Sequence, residues 1–299
     1  MNMQEQRTTV ADTNGVRRLP DTARIQYAHF RVLDIERSLG FYKDLLGLVE
    51  SGSNGNTLML AAEGSDEPLV KLTEDRNAVP RQHQAPGLFH LALLYPDRKS
   101  LAAAFKHLYV NQWPFQGFAD HGVSEALYLA DAEGNGIELY VDRPKVEWPY
   151  KHGELQMVTE TLDLDDLLSK LDPLNGINRS NSRDLSIGHI HLQISNLQRT
   201  EAFYHGALGF DVVQRNYPGA LFMSAGGYHH HIGANVWNSR GAAPAADGSA
   251  GLMEFGIRTG NAQVTQELSA QFRETEFWLE GVNEDFTLRD PDALRIHIS

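Results

Sequence analysis

The 299-residue chain contains no cysteine, so disulfides, thiolate metal sites and thiol nucleophiles are all excluded. It has no apolar run long enough to cross a bilayer. The first 24 residues are polar and lack the apolar core of a secretion signal. Arg17-Arg18 leads into Leu-Pro-Asp and not into the apolar stretch of a twin-arginine signal. A cytoplasmic protein with a flexible N-terminal tail over residues 1–24 is the expectation. Positive charge is also scarce. Lys and Arg total 26 against 39 Asp and Glu, a formal charge of −13 with no basic stripe, so neither nucleic acid nor membrane is an expected partner.

Two features are plentiful. A hydrophobic content of 41% is enough for real cores, and 13 histidines become informative once they are placed. The strongest organising signal is repetition. The segment at residues 27–48 and the one at 189–210 both begin as alternating strands and pass through a helix-capping residue, Asp34 or Asn196. Both then carry Phe-Tyr on an amphipathic helix and end on Gly47 or Gly209. His29 precedes Phe41 by twelve residues, and His191 precedes Phe203 by twelve. A second pair starts at Gly87 and Gly251 and leads into helices over 99–110 and 263–272. His90 and Glu254 each stand three residues after the glycine. Asp131 precedes Glu138 by seven, and Asp290 precedes His297 by seven.

The chain therefore divides into four modules, roughly 25–80, 86–143, 186–243 and 250–299. A connecting segment at 144–185 holds a short helix around 162–171. The domains are a first pair of modules over 25–143 and a second pair over 186–299. Each module reads as strand, helix, then three strands. Such βαβββ units leave one sheet face apolar, so they pair and curl, and four of them give an α+β fold with two half-open β-barrels. The first and last strands of a module then bring His29, His90, Glu138, His191, Glu254 and His297 to barrel floors. A lone strand histidine is more often a hydrogen-bonded core residue; six metal-binding side chains in equivalent places argue otherwise.

The most informative stretch is 118–140. It reads as loop, strand, tight turn and an apolar strand with Glu138 in its middle, where an unpaired charge is costly. With His121-Gly-Val-Ser124, Tyr128 and Asp131 placed ahead of Glu138, it resembles the type I extradiol ring-cleaving dioxygenases of the vicinal oxygen chelate superfamily. Tyr128 stands ten residues before Glu138, as in that family. Leu88-Phe-His-Leu-Ala-Leu93 resembles the strand of one His ligand, His189-Ile-His191-Leu that of the other, and the 226–234 stretch the strand of a catalytic histidine. The usual module order is swapped here, because the Tyr/Glu motif lies in module two, ahead of the His191 module.

The resemblance implies Fe(II), with Mn(II) the alternative, and extradiol cleavage of a small aromatic diol by O2 to a muconic semialdehyde-type product. Its metal ligands would be His90, Glu138 and His191 if modules two and three pair, the arrangement that unites Tyr128 and the histidine-rich strand around one iron, with His29, Glu254 and His297 a degenerate partner barrel. If neighbouring modules pair instead, His29 takes the place of His191. Strand alternation puts His229 and His231 on one face and His230 on the other. The resemblance implies the acid–base role for His231, because the Ile-Gly-Ala that follows it best matches the family's catalytic position, with His229 second, and places Tyr128 and His121 beside the substrate. Trp113, Phe115, Phe118, Tyr217, Phe222 and Trp237 are candidates for an aromatic-lined cleft. The alternatives are a glyoxalase-like metal-dependent isomerase or transferase, and a metal-free small-molecule binding protein of the same fold. A homo-oligomer is expected.

Overall fold

The computed structural model describes residues 17–151, 153–171 and 182–299. It consists of two eight-stranded mixed sheets with helices packed against them. In the first sheet the strand Arg24–Val32 lies antiparallel to Gly251–Arg258, and in the second Gly87–Leu94 lies antiparallel to Ser186–Gln193. Each of these central strands has its own module's last strand alongside it in parallel, with the remaining two strands beyond. Modules one and four therefore share a sheet, as do modules two and three. Each sheet draws one module from residues 25–143 and one from 186–299.

The helices follow from their caps. Asp97 accepts from Ser100 N ahead of the helix Arg98–Val110, and Asn261 accepts from Val264 N ahead of Ala262–Phe272. The Phe-Tyr helices depart from a plain α-helix. Ile35–Leu39 continues as a π-turn over Gly40–Leu45, and Leu197–Glu201 continues as one over Ala202–Ala207. The wider i→i+5 turn accommodates two adjacent aromatics, Phe41-Tyr42 or Phe203-Tyr204, all buried in the core between helices and sheets.

The tyrosines of these pairs also tie the sheets together. Tyr42 OH donates to Asp131 at 2.9 Å, and Tyr204 OH donates to Asp290 at 3.0 Å, each bond crossing from one sheet's module to the other's. This is the structural use of the repeated aspartates. Asp131 also accepts from the backbone of Glu133 and Asn135 and so shapes the turn ahead of Glu138. Residues 17–23, placed by the sequence in the flexible tail, are packed: Leu19 and Ala23 are buried and Leu19 N donates to Gly209 O. The rest of that expected tail, residues 1–16, lies outside the described residues. Among the described residues no helix is long and apolar enough to cross a membrane.

Asp290 carries a pH dependence. Burial, with a smaller push from the Asp292 carboxylate, raises its carboxyl to about 7, against hydrogen bonds from Leu294 N, Tyr204 OH and Asp292 N. The folded state therefore holds a proton that the unfolded chain releases near pH 4. Its stabilising contribution is complete below about pH 4 and is lost as pH rises through about 7. Relative to Asp290→Asn, the wild-type unfolding free energy should fall by on the order of 3–4 kcal/mol across that window. Denaturant melts of both proteins from pH 4 to 8 measure this, and a pH-independent difference refutes it.

Candidate metal centre and its cavity

The strand Gly87–Leu94 is the spine of the site. Ala92 registers with Glu138 of Gly136–Asp142 on one side and with His189 of Ser186–Gln193 on the other. Glu138 and His189 thus stand level across a residue that offers only a methyl group, with His90 two residues along on the same face. Gly136 permits the close approach of the Glu138 strand, because a Cβ there would lie 2.1 Å from Phe89 O.

The three side chains converge. His90 Nε2 lies 2.9 Å and His189 Nε2 3.2 Å from the same oxygen, Glu138 Oε2, and all three residues are buried. Their ligand-type atoms fall within 4.8 Å of one another, the one group of this kind among the described residues. His90 Nε2 makes no hydrogen bond despite its closeness to the carboxylate. A buried lone pair left without a partner, next to a carboxylate and a second imidazole, is what a divalent cation would satisfy. The charge states suit this. Burial lowers His189 to about 4, outweighing the opposing pull of Glu138, so the ring is neutral at pH 7. Burial alone would raise the Glu138 carboxyl, but His189 and His90 outweigh it and hold it well below the usual carboxylate range. Neutral imidazoles and an ionised carboxylate are the ligating forms.

His191 is not in this group. It registers with His90 rather than Ala92, and Asn235 Nδ2 donates to its Nε2 at 3.0 Å. The repeat misdirects here because it aligns His191 with His29 and gives His189 a tyrosine, Tyr27, as counterpart. Only the cross-strand register, His189 level with Ala92 and Glu138, shows which histidine lies beside the carboxylate.

The triple histidine also departs from the strand expected of it. Residues 225–231 form an irregular turn ahead of the strand Ile232–Asn235, with Gly226 and Gly227 both at positive φ, so strand alternation does not apply. His230 lines the cavity, its ring centroid 4.0 Å from that of His189. His231 faces elsewhere and accepts from Ala225 N. His229 sits behind His230: its Nε2 donates to Asp142 at 2.9 Å, and its Nδ1 lies 2.8 Å from His230 Nδ1. With Asp142 taking the Nε2 proton, His229 Nδ1 accepts from His230 Nδ1–H. That leaves His230 Nε2 as the free lone pair. Burial holds His230 well below the ordinary histidine range, so it is neutral.

Tyr128 and His121 line the same cavity. His121 Nδ1 donates to Val158 O at 2.6 Å, so its Nε2 accepts from Tyr128 OH at 2.7 Å. Burial above all, and then Glu138, raise the Tyr128 phenol well above 10, and it stays protonated. Sequence reasoning missed the role of the connecting segment: its Met157, Val158 and Thr159 form one wall, where residue 160 bridges to residue 120. Tyr217, Phe222 and Trp237 line the cavity, whereas Trp113, Phe115 and Phe118 pack against the core. Tyr128→Phe should lower kcat by roughly 10²-fold, the usual cost of one well-placed hydrogen-bonding group. Steady-state kinetics at unchanged metal content measures this, and wild-type kcat would remove Tyr128 from the chemistry.

Among the described residues the first sheet has no equivalent centre. Tyr27 OH donates to Glu254 at 2.6 Å, Arg295 lies 3.3 Å from the same carboxylate, and His29 pairs with Thr73 at 2.8 Å. Its would-be ligands are already satisfied by neighbours.

Two curled sheets built from four βαβββ modules, one of them holding two histidines and a carboxylate, define the class. The chain belongs to the Glyoxalase/Bleomycin resistance protein/Dioxygenase superfamily, whose family model matches residues 24–139 and 186–296. Among individual proteins, it is 37% identical over 276 residues to the catechol-2,3-dioxygenase of Bacillus subtilis (strain 168), covering 91% of this chain and 95% of that one. Its fold is similar to that of glyoxalase I from Zea mays, with a TM-score of 0.55 at 15% identity, covering 93% and 92% of the two chains. It is also similar in fold to the cppA protein of Streptococcus pneumoniae TIGR4, with a TM-score of 0.57 at 10% identity, covering 94% and 99%.

Proposed function

We propose that the protein is an Fe(II)-dependent extradiol dioxygenase that opens a catechol-type ring beside its two hydroxyls. The observation that carries this reading is the gathering of His230, Tyr128 and His121 around the His90, Glu138 and His189 group in one cavity. The 37% identity to a catechol-2,3-dioxygenase over nearly the whole chain supports it.

When held by His90, Glu138 and His189, Fe(II) supplies Lewis acidity toward the diol and a redox-active centre for dioxygen, and Mn(II) is the alternative for the same donors. The protein's own groups handle the protons. His230 takes one diol proton at its free Nε2, and the developing charge is stabilised through His229 by Asp142. The same proton returns as the ring opens. Tyr128, its O–H donated to His121, presents a phenol oxygen lone pair that accepts from a diol hydroxyl at the reacting edge. The balance is simple: the bond between a hydroxyl-bearing ring carbon and its unsubstituted neighbour breaks, and both atoms of O2 end in the semialdehyde. The diol supplies all the electrons, and no further reductant is needed.

Protein loaded anaerobically with Fe(II), then given catechol and oxygen, should form the yellow ring-opened product with one O2 consumed per diol. No product from any catechol, with turnover of a thiol adduct, would place the chemistry with the isomerases instead.

A further inference from the structure

The cavity above the metal-binding floor has a volume of about 380 Å³, near the small end for ligand sites. Its apolar walls include Phe89, Val123, Ile137, Met157, Phe222 and Trp237, with the uncharged polar side chains Gln116, Ser124, Thr159 and Tyr217 among them. Among the described residues none of its lining is lysine or arginine, and its one carboxylate is Glu138 on the floor. A diol held by its hydroxyls at the floor turns the rest of its ring toward these apolar side chains. A carboxylate on the ring would be stripped of water there without a cation to receive it, which is costly. The chain's net charge of −13 further opposes the approach of an anion.

We propose that this cavity selects catechols that are uncharged and carry apolar ring substituents, and that it rejects carboxylated ones. The proposal rests on the dioxygenase reading and names the substrate class of that same site. An apolar substituent replaces water against Phe222, Trp237 and Met157, where each added carbon is worth up to a tenfold or larger gain. Selection lies partly with the connecting segment, which contributes Met157 and the rim residue Val158.

The test compares kcat/KM of Fe(II)-loaded protein for catechol, 4-methylcatechol and 3,4-dihydroxybenzoate. Anaerobic titration calorimetry with the same three diols gives a second readout. The methyl compound should match or exceed catechol, and the carboxylated diol should fall at least roughly 10²-fold below it in both measurements. Val158→Lys, at an exposed rim position that tolerates a long side chain, should narrow that gap by roughly tenfold or more by offering the carboxylate a partner. Turnover of 3,4-dihydroxybenzoate within tenfold of 4-methylcatechol overturns the selectivity and leaves the dioxygenase reading standing. Absence of turnover with all three diols overturns the reading itself.

Discussion

Glu138→Gln is expected to leave the protein folded and without metal, with turnover abolished. An amide cannot supply the anionic oxygen that His90 Nε2 and His189 Nε2 both approach. Loss of an outer-shell partner alone costs 10–100-fold in metal affinity, and loss of the only carboxylate ligand should exceed roughly 10²-fold. The sharper comparison is between neighbours. His189→Gln should lose metal to a similar degree, whereas His191→Gln, which gives up a bond to Asn235, should retain it within about tenfold of wild type. Metal content after anaerobic reconstitution decides the matter, with circular dichroism to confirm folding. Iron lost from the His191 variant and kept in the His189 variant would restore the ligand set expected from the sequence.

The second large effect belongs to His230. His230→Asn should keep its iron and lower kcat by about 10²–10⁴-fold, the range for removal of a general base. His231→Asn should leave kcat within a few-fold, because that ring packs against Ser224 and Ala225 outside the cavity. His229→Asn should fall between them, since it breaks the link from Asp142 to His230 without removing the base. Stopped-flow formation of the yellow product under excess diol separates the three. Equal losses at His230 and His231 would mean that the turn rearranges when substrate binds.

Much of this was legible before any coordinates. The twelve-residue spacing from strand histidine to Phe-Tyr marked modules one and three, and the matched segments after Gly87 and Gly251 marked two and four, because strand and helix each repeat their own period of burial. The caps Asp34 and Asn196 could be read from side-chain chemistry, and the turn at 131–136 from its acid and glycines. Glu138 stood out because a carboxylate amid apolar strand residues needs a partner. Other elements resisted. The π-turns under Phe41-Tyr42 and Phe203-Tyr204 have no local marker; they arise because adjacent aromatics must both enter one core. The wall at 157–159 belongs to a polar segment that shows its purpose only where it meets His121.

By itself the sequence determined the module count and the residue types placed on the first and last strands of each module. These depend on periodicity and spacing, which survive in one dimension. The tertiary structure alone decided which histidine completes the group and which of three adjacent histidines faces the cavity. His189 and His191 share a strand face, so alternation cannot separate them; only the register that sets His189 level with Ala92 and Glu138 does so. His230 turns inward because two glycines at positive φ bend the chain just before the strand begins, where alternation has no meaning.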